Sequence, residues 1–140
     1  MKFILASHGD FAKGLANSAD MLLGPQEDIL TFGLYLGDDP NAFREKLEGA
    51  LEPEDEGNVI FFTDLYYGSP FNRVVEIARE HDIYHITGTN LPVLIEALVA
   101  RSSGNSAAEI CEAAVAAAEG SVKDVRKLLA ADAEDDEEEW

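Results

Sequence analysis

Short apolar stretches alternate along the chain with longer segments in which apolar residues recur every three or four positions. The short stretches, which predict β-strands, are residues 2–6, 28–35, 59–63 and 83–87. The longer segments, which predict amphipathic helices, are residues 11–23, 43–51, 70–80, 91–101, 107–118 and 121–129. Strands that alternate with helices of this length form parallel βαβ units with right-handed crossovers. The sequence therefore predicts an α/β fold, a doubly wound, mostly parallel open sheet in the order 2-1-3-4 with helices on both faces.

The 140 residues fit one domain, which we place at residues 1–130, followed by an acidic segment at residues 131–140. That segment contains few apolar residues apart from Trp140, and this composition predicts a mobile tail. With 10 basic and 28 acidic residues the net charge is −18, which excludes nucleic acid and anionic membranes as partners. The charge is compatible with simple solubility in a salty cytoplasm or with attraction to a basic protein surface.

The chain shows no sign of membrane insertion or export. No apolar stretch approaches the roughly 20 residues of a membrane span, and the first residues lack the pattern of a signal peptide. The single Cys111 cannot form an internal disulfide, so a reducing cytoplasmic location is expected. No spacing of cysteine, histidine and acidic residues predicts a metal site, and no glycine-rich loop predicts a nucleotide cofactor.

Two polar residues follow directly after predicted strands. His8 follows the first strand and Asp64 follows the third. Open α/β sheets bind ligands at the carboxyl ends of their strands, where the strand order reverses. In the order 2-1-3-4 that point lies between the first and third strands, so the two side chains are expected to face each other. A carboxylate bonded to one ring nitrogen fixes the tautomer and leaves the other nitrogen free to act as a nucleophile.

A predicted anion site adjoins this pair. Ser69 is expected to cap the third helix, with Pro70 as its first residue, and a helix N-terminus attracts anions. Gly9 and Gly68 leave room for a bulky group beside the ring. A nucleophilic imidazole next to an anion site indicates phosphoryl transfer through a phosphohistidine, with His8 and Asp64 as the catalytic residues.

Five motifs spread over nearly the whole chain extend this interpretation. They are Ser7-His8-Gly9, residues 19–24 (ADMLLG), Thr63-Asp64, residues 68–72 (GSPFN) and residues 88–92 (GTNLP). On these motifs the chain resembles the IIA component of the mannose-type (mannose, fructose, sorbose) bacterial sugar phosphotransferase system.

The resemblance implies a phosphotransferase without a cofactor. His8 would accept a phosphoryl group from the carrier protein HPr and pass it to a histidine of the IIB component for sugar uptake. Asp64 would orient the ring, and Ser69 with the adjacent glycines, Gly9 and Gly68, would hold the phosphoryl group. The resemblance also implies a cytoplasmic homodimer. In some relatives an added antiparallel edge strand pairs with the partner's sheet; the candidate is residues 121–126, although the apolar spacing there fits a helix better. Because no linker to a IIB component follows, the chain is expected to be free-standing.

The loop after Asp64 departs from the family pattern. Leu65 stands where a hydroxyl residue is common, and Tyr67 replaces a glycine. Tyr66 and Tyr67 would form either an aromatic wall at the partner interface or a packed loop. The remaining histidines, His81 and His85, are expected to have no catalytic role.

Three alternatives remain open. One is the phosphohistidine subunit of a dihydroxyacetone kinase. Another is a response-regulator receiver phosphorylated on Asp64, although Ser7-His8-Gly9-Asp10 offers no acidic pair for magnesium. The last is a non-catalytic regulatory binding domain with a structural His8. The transported sugar is not encoded here, because in such systems the sugar contacts other components.

Overall fold

Four strands, six α-helices and one 3₁₀ helix (Pro53–Asp55) make up the part of the chain that the computed structural model describes, residues 1–138, with side chains described through residue 134. The elements are β1 (Lys2–His8), α1 (Phe11–Leu23), β2 (Ile29–Leu34), α2 (Pro40–Gly49), β3 (Val59–Thr63), α3 (Ser69–Ala78), β4 (Tyr84–Ile86), α4 (Leu91–Ser102), α5 (Ala107–Ala118) and α6 (Val125–Glu138).

All four strands are parallel and lie in the order β2-β1-β3-β4, so the predicted fold class and strand order are confirmed. The two central strands are in register, with Ala6 opposite Thr63. The chain leaves β1 toward β2 on one side and then crosses to β3 on the other, so the strand order reverses between β1 and β3. The residues that end these two strands are therefore neighbours at the carboxyl edge of the sheet.

The sheet separates two apolar layers. Successive residues of a strand point to opposite faces, so Phe3 and Phe62 pack with α1, α4 and α5, with ring centroids 5.0 Å apart. Ile4 and Phe61 pack on the other face with α2 and α3. Every residue of β3 is buried, as expected of a strand that is covered on both faces. The strands β1 and β3, whose ends are neighbours, are thus largely buried between the two apolar layers.

The C-terminal part differs from the expectation. Residues 121–124 form a loop and α6 begins at Val125, so the described residues contain no antiparallel edge strand. The helix continues through residue 138 and crosses the predicted boundary at residue 130, because alanine, leucine and glutamate favour helix over irregular chain. Its described side chains are exposed. The mobility of the acidic segment stays a prediction, and Trp140 lies outside the described residues.

No helix of the described chain is both long enough and apolar enough to span a lipid bilayer.

Candidate active site

The imidazole of His8 and the carboxylate of Asp64 are in direct contact at the carboxyl edge of the sheet. One carboxylate oxygen, Oδ2, lies 2.9 Å from the ring Nδ1 and also accepts the backbone N–H of His8 at 3.0 Å. The His8 side chain is 48% exposed, whereas that of Asp64 is 14% exposed. A carboxylate at Nδ1 favours the tautomer whose proton is on Nδ1, which leaves the Nε2 lone pair available as a nucleophile. The structure thus brings together the two residues that sequence analysis paired.

Among the described residues, the Asp64 carboxylate forms hydrogen bonds only with His8. Its second oxygen, Oδ1, is buried and has no hydrogen-bond partner among the described residues. Both hydrogen bonds to the carboxylate therefore come from His8 and fix the residue at its backbone and at its ring.

The N-terminus of α3 adjoins the ring. Gly68 is the N-cap and Ser69 the first helical residue, so the predicted cap is one residue too late. The cause is the extended conformation of Gly68 (φ −73°, ψ 165°), after which helical geometry starts directly. Pro70 has no N–H, so Ser69 and Phe71 supply the first-turn amides that no earlier carbonyl of the helix can accept. These amides and the helix dipole suit an anion.

Gly68 lies against the imidazole ring of His8. A Cβ atom at this position would be 2.8 Å from Cε1 of His8 and 3.6 Å from Nε2. Ordinary contacts between carbon atoms are about 3.5–4.0 Å. Only glycine therefore lets the loop come this close to the ring.

The other side of His8 is formed by the turn into α1 and by the end of β2. The N–H of Gly9 donates to the carbonyl of Leu34 at 2.8 Å. The buried Ser7 hydroxyl accepts the N–H of Ala12 at 2.7 Å and so caps the first turn of α1. A predominantly apolar cavity of about 620 Å³ opens here beside the ring, lined by His8, Gly9 and residues 34–38. Sequence analysis missed the cap, because a serine within a strand gives no local signal for it.

Tyr35, which lines this cavity, forms a hydrogen bond with Asp10. The hydroxyl of Tyr35, in the turn after β2, donates to Oδ1 of Asp10, which precedes α1. The bond raises the pKa of the Tyr35 phenol, because loss of the phenol proton would break the hydrogen bond to the Asp10 carboxylate. The contact between these two exposed residues was not predicted from the sequence.

The loop after Asp64 presents three exposed apolar side chains, Leu65, Tyr66 and Tyr67. The two tyrosine rings have centroids 3.9 Å apart, and both approach the ring of Phe71, at 5.2 and 5.7 Å. Tyr67 has a φ of +63°, in the left-handed region that glycine adopts most readily. The tyrosines thus pack on each other while remaining accessible, in the loop that joins Asp64 to Gly68, and both of these residues contact His8.

The other two histidines lie in different environments. His81, near the end of α3, bonds through Nδ1 to Oε1 of Glu56 at 2.6 Å, and this bond lowers the pKa of Glu56. His85 is partly buried in β4, where burial lowers its pKa to about 4, and its Nε2 lies 2.7 Å from the hydroxyl of Thr63. Thr63 directly precedes Asp64. Sequence analysis gave His85 no role, because the signal, polar residues at 63, 85 and 87, depends on the strand register.

Among the residues that the structure describes, one group of side chains has the ligand types and the spacing of a metal site. Oxygen or nitrogen atoms of Glu48, Glu80 and His81 lie within 4.8 Å of one another. Arg44 already forms ion pairs with Glu48 and Glu80, at 2.6 and 3.5 Å. The group is thus an ion-pair network, and it involves none of the residues around His8.

The sequence of the chain matches a known family over most of its length. A profile of the family described as the PTS system fructose IIA component (EIIA-man) matches residues 2–115. The mannose-specific EIIAB component of Escherichia coli K12 is 34% identical over 122 residues, which cover 86% of this chain. The chain spans 38% of the length of that relative. The fructose-specific EIIA component of Bacillus subtilis is 31% identical over 100 residues, which cover 70% of this chain and 68% of the relative.

Solved structures agree with the fold. The phosphotransferase system component EIIA from Streptococcus agalactiae superposes with a TM-score of 0.81 at 26% identity, covering 90% of this chain and 98% of the other. A protein from Klebsiella pneumoniae that is described as a putative sugar phosphotransferase system permease gives a TM-score of 0.80 at 31% identity, covering 91% of this chain and 93% of the other. Together with the profile match, these similarities show that the chain belongs to the mannose, fructose and sorbose family of IIA components of the sugar phosphotransferase system.

Proposed function

We propose that the chain is a cytoplasmic phosphoryl carrier that accepts a phosphoryl group on Nε2 of His8. The donor would be phosphorylated HPr, and the acceptor a histidine of the IIB component that serves sugar uptake. The observation that carries the proposal is the contact between Asp64 Oδ2 and His8 Nδ1 at 2.9 Å, which leaves Nε2 as the free nitrogen.

The transfer follows from this arrangement. The lone pair on Nε2 attacks phosphorus, the N–P bond to the donor histidine breaks as the new one forms, and the electron pair returns to the donor ring. The proton on Nδ1 stays where it is, hydrogen-bonded to Asp64, which stabilises the positive charge of the substituted ring. In the second step the IIB histidine attacks the same phosphorus and His8 is the leaving group.

The surroundings of the ring suit a phosphoryl group. Gly68 and Ser69 begin α3 at the ring, so the helix N-terminus and the Ser69 hydroxyl can stabilise its charge. Gly9 leaves the opposite side free of a side chain. Because phosphoryl transfer relies on positioning and charge stabilisation, these groups suffice without a metal or a cofactor.

The partners would dock around the exposed edge of His8. Tyr66 and Tyr67 present accessible aromatic surface beside the ring, and the chain carries a net charge of −18. Aromatic residues are enriched in protein interfaces, and a basic partner surface would be steered to an acidic protein. We propose that the carrier acts as a homodimer, the state that the family resemblance implies.

The receiver alternative has less support. Asp64 is only 14% exposed in its side chain and both hydrogen bonds to its carboxylate come from His8, so it is poorly placed as a phosphoacceptor.

The test is phosphorylation by phosphoenolpyruvate, enzyme I and HPr, followed by mapping of the labelled residue. We expect one acid-labile, alkali-stable phosphate on His8, and no label on a folded His8→Ala variant. His81→Ala is the matched control, since this histidine bonds Glu56 at a distance from the site, and it should be labelled normally. Normal labelling of His8→Ala, or an acid-stable label on Asp64, would overturn the assignment.

A further inference from the structure

A hydrogen-bonded chain of three polar side chains lies beneath the active site, between β3 and β4. The hydroxyl of Thr63 lies 2.7 Å from Nε2 of His85 and 2.9 Å from the hydroxyl of Thr87. The carbonyl of Thr63 also accepts the N–H of Thr89 at 3.1 Å. The residue that immediately precedes Asp64 is therefore fixed at its side chain and at its backbone.

The direction of the hydrogen bonds follows from the single proton of the Thr63 hydroxyl, which is donated to Thr87. Burial keeps His85 neutral at physiological pH, since its pKa is lowered to about 4. Because the Thr63 hydroxyl donates its proton to Thr87, its oxygen can only accept from His85. The Nε2–H of His85 is therefore the donor in this hydrogen bond. Each group in this chain then has a partner, as buried polar groups require.

His85 also contacts the helix that adjoins the catalytic ring. Its ring centroid lies 5.1 Å from that of Phe71, in the first turn of α3. The same turn begins at Gly68, which packs against His8. His85 thus touches both elements that fix the catalytic imidazole, the end of β3 through Thr63 and the start of α3 through Phe71.

An apolar side chain would be the simpler occupant of this strand position. His85 lies opposite Phe61 in the register, on the face of the sheet that packs against α2 and α3. Placing an imidazole there costs desolvation, and the hydrogen bond to Thr63 offsets part of that cost. Among the described residues, the hydrogen bond to Thr63 is thus the one interaction that His85 makes here and an apolar residue would not.

We propose that His85 is a positioning residue for the His8–Asp64 pair, an inference that rests on the proposed phosphoryl-carrier function. Through Thr63 it fixes the direction in which Asp64 leaves β3, and so keeps Oδ2 on Nδ1 of His8. Hydrogen-bond strength falls steeply with distance and angle, so a small rotation at this strand end weakens the contact that selects the reactive tautomer.

The experiment compares His85→Val, which removes the donor, with His85→Gln, which keeps an N–H donor near the position of Nε2. Loss of one buried hydrogen bond predicts a rate of transfer from phosphorylated HPr that is lower by about two- to tenfold in His85→Val, with an unchanged KM for HPr. His85→Gln should recover most of the rate. His81→Gln is the control and should match wild type.

A second measurement needs no phosphoryl donor. The ¹⁵N chemical shifts of the His8 ring report which nitrogen carries the proton. We expect His85→Val to move the His8 ring away from the Nδ1–H tautomer, and His85→Gln to keep the wild-type shifts. Should His85→Val fail to fold, Thr63→Val removes the same hydroxyl with little change of shape and should produce the same two effects.

The outcomes separate this proposal from the proposed function. Wild-type rates and ring shifts in His85→Val, or equal losses in the valine and glutamine variants, would overturn the positioning role. If the wild-type chain takes no phosphoryl group while its ring shifts respond as described, the proposed function fails and the positioning role stands.

Discussion

The substitution Gly68→Ala tests the close contact on which the orientation of His8 depends. The backbone of Gly68, at φ −73° and ψ 165°, is one that alanine adopts without strain. The only obstacle to the added methyl group is the His8 ring, whose Cε1 would lie 2.8 Å from it. The substitution is therefore a steric probe of a single contact.

The expected magnitude follows from the overlap. The 2.8 Å separation is about 0.7 Å short of the nearest ordinary carbon contact, so the half-exposed ring must turn toward solvent. An off-rotamer side chain costs about 0.5–1.5 kcal/mol, and a weakened hydrogen bond to Asp64 adds about 1 kcal/mol. Replacing glycine by alanine at the N-cap has a separate cost, up to about 1 kcal/mol, which does not depend on His8.

A double-mutant cycle with His8→Ala separates these contributions. Urea unfolding of the four proteins should give a cost of Gly68→Ala that is about 1.5–2.5 kcal/mol larger when His8 is present than when alanine replaces it. The rate of phosphoryl transfer from HPr should fall at least about tenfold in the single variant, in line with that energy. Additive effects, within about 0.3 kcal/mol, would show that the ring does not rest on Gly68 in solution.

Three further changes test other parts of the site. Asp64→Asn should slow single-turnover transfer from HPr by about 10- to 100-fold without abolishing it, because a charged acceptor is lost while the nucleophile stays; an unchanged rate would contradict the orienting role. At position 67, where φ is +63°, Tyr67→Val should be less stable in urea than Tyr67→Asn by about 1 kcal/mol, since both variants remove the ring and only asparagine tolerates the left-handed region; equal stability would exclude backbone strain. The pKa of His85 is lowered from near 6.5 to about 4, so the unfolded chain binds the extra proton between these values and the free energy of unfolding falls as the pH drops through that window. This slope, up to about 1.4 kcal/mol per pH unit, should be absent from the corresponding curve of His85→Val, and parallel curves for the two proteins would refute it.

The fold was predictable because its signals are local and repeat along the chain. Residues 59–62 are uninterrupted and apolar, as a strand covered on both faces requires, and every residue of the strand is buried. The pairing of His8 with Asp64 was predictable for a related reason. Parallel strands end at one edge of their sheet, so the residues that follow two adjacent strands must meet. Neither inference requires any knowledge of interatomic distances.

The structure near the end of the chain could not be predicted from amino-acid composition alone. The acidic residues after 130 cannot form a core, which favours a tail, yet alanine and leucine before them start a helix whose hydrogen bonds need no tertiary partner. Helix propensity and the ability to pack are separate properties. Counting apolar residues measures the second property alone.

The contacts that orient the His8 ring depend on register and on differences of about 0.7 Å in approach distance, which no local pattern encodes. His85 reaches Thr63 because residues 60–62 pair with 84–86, and a slip of one position would turn its side chain to the opposite face of the sheet. Gly68 reaches His8 because the loop from Asp64 has the length and the left-handed residue Tyr67 that bring α3 down onto the ring. Sequence reasoning thus finds the two groups on which the proposed mechanism rests, because both follow the ends of adjacent strands. The groups that hold them within reaction geometry follow only from the packed structure, so variants at Gly68 and His85 test the mechanism more sharply than removal of His8 itself.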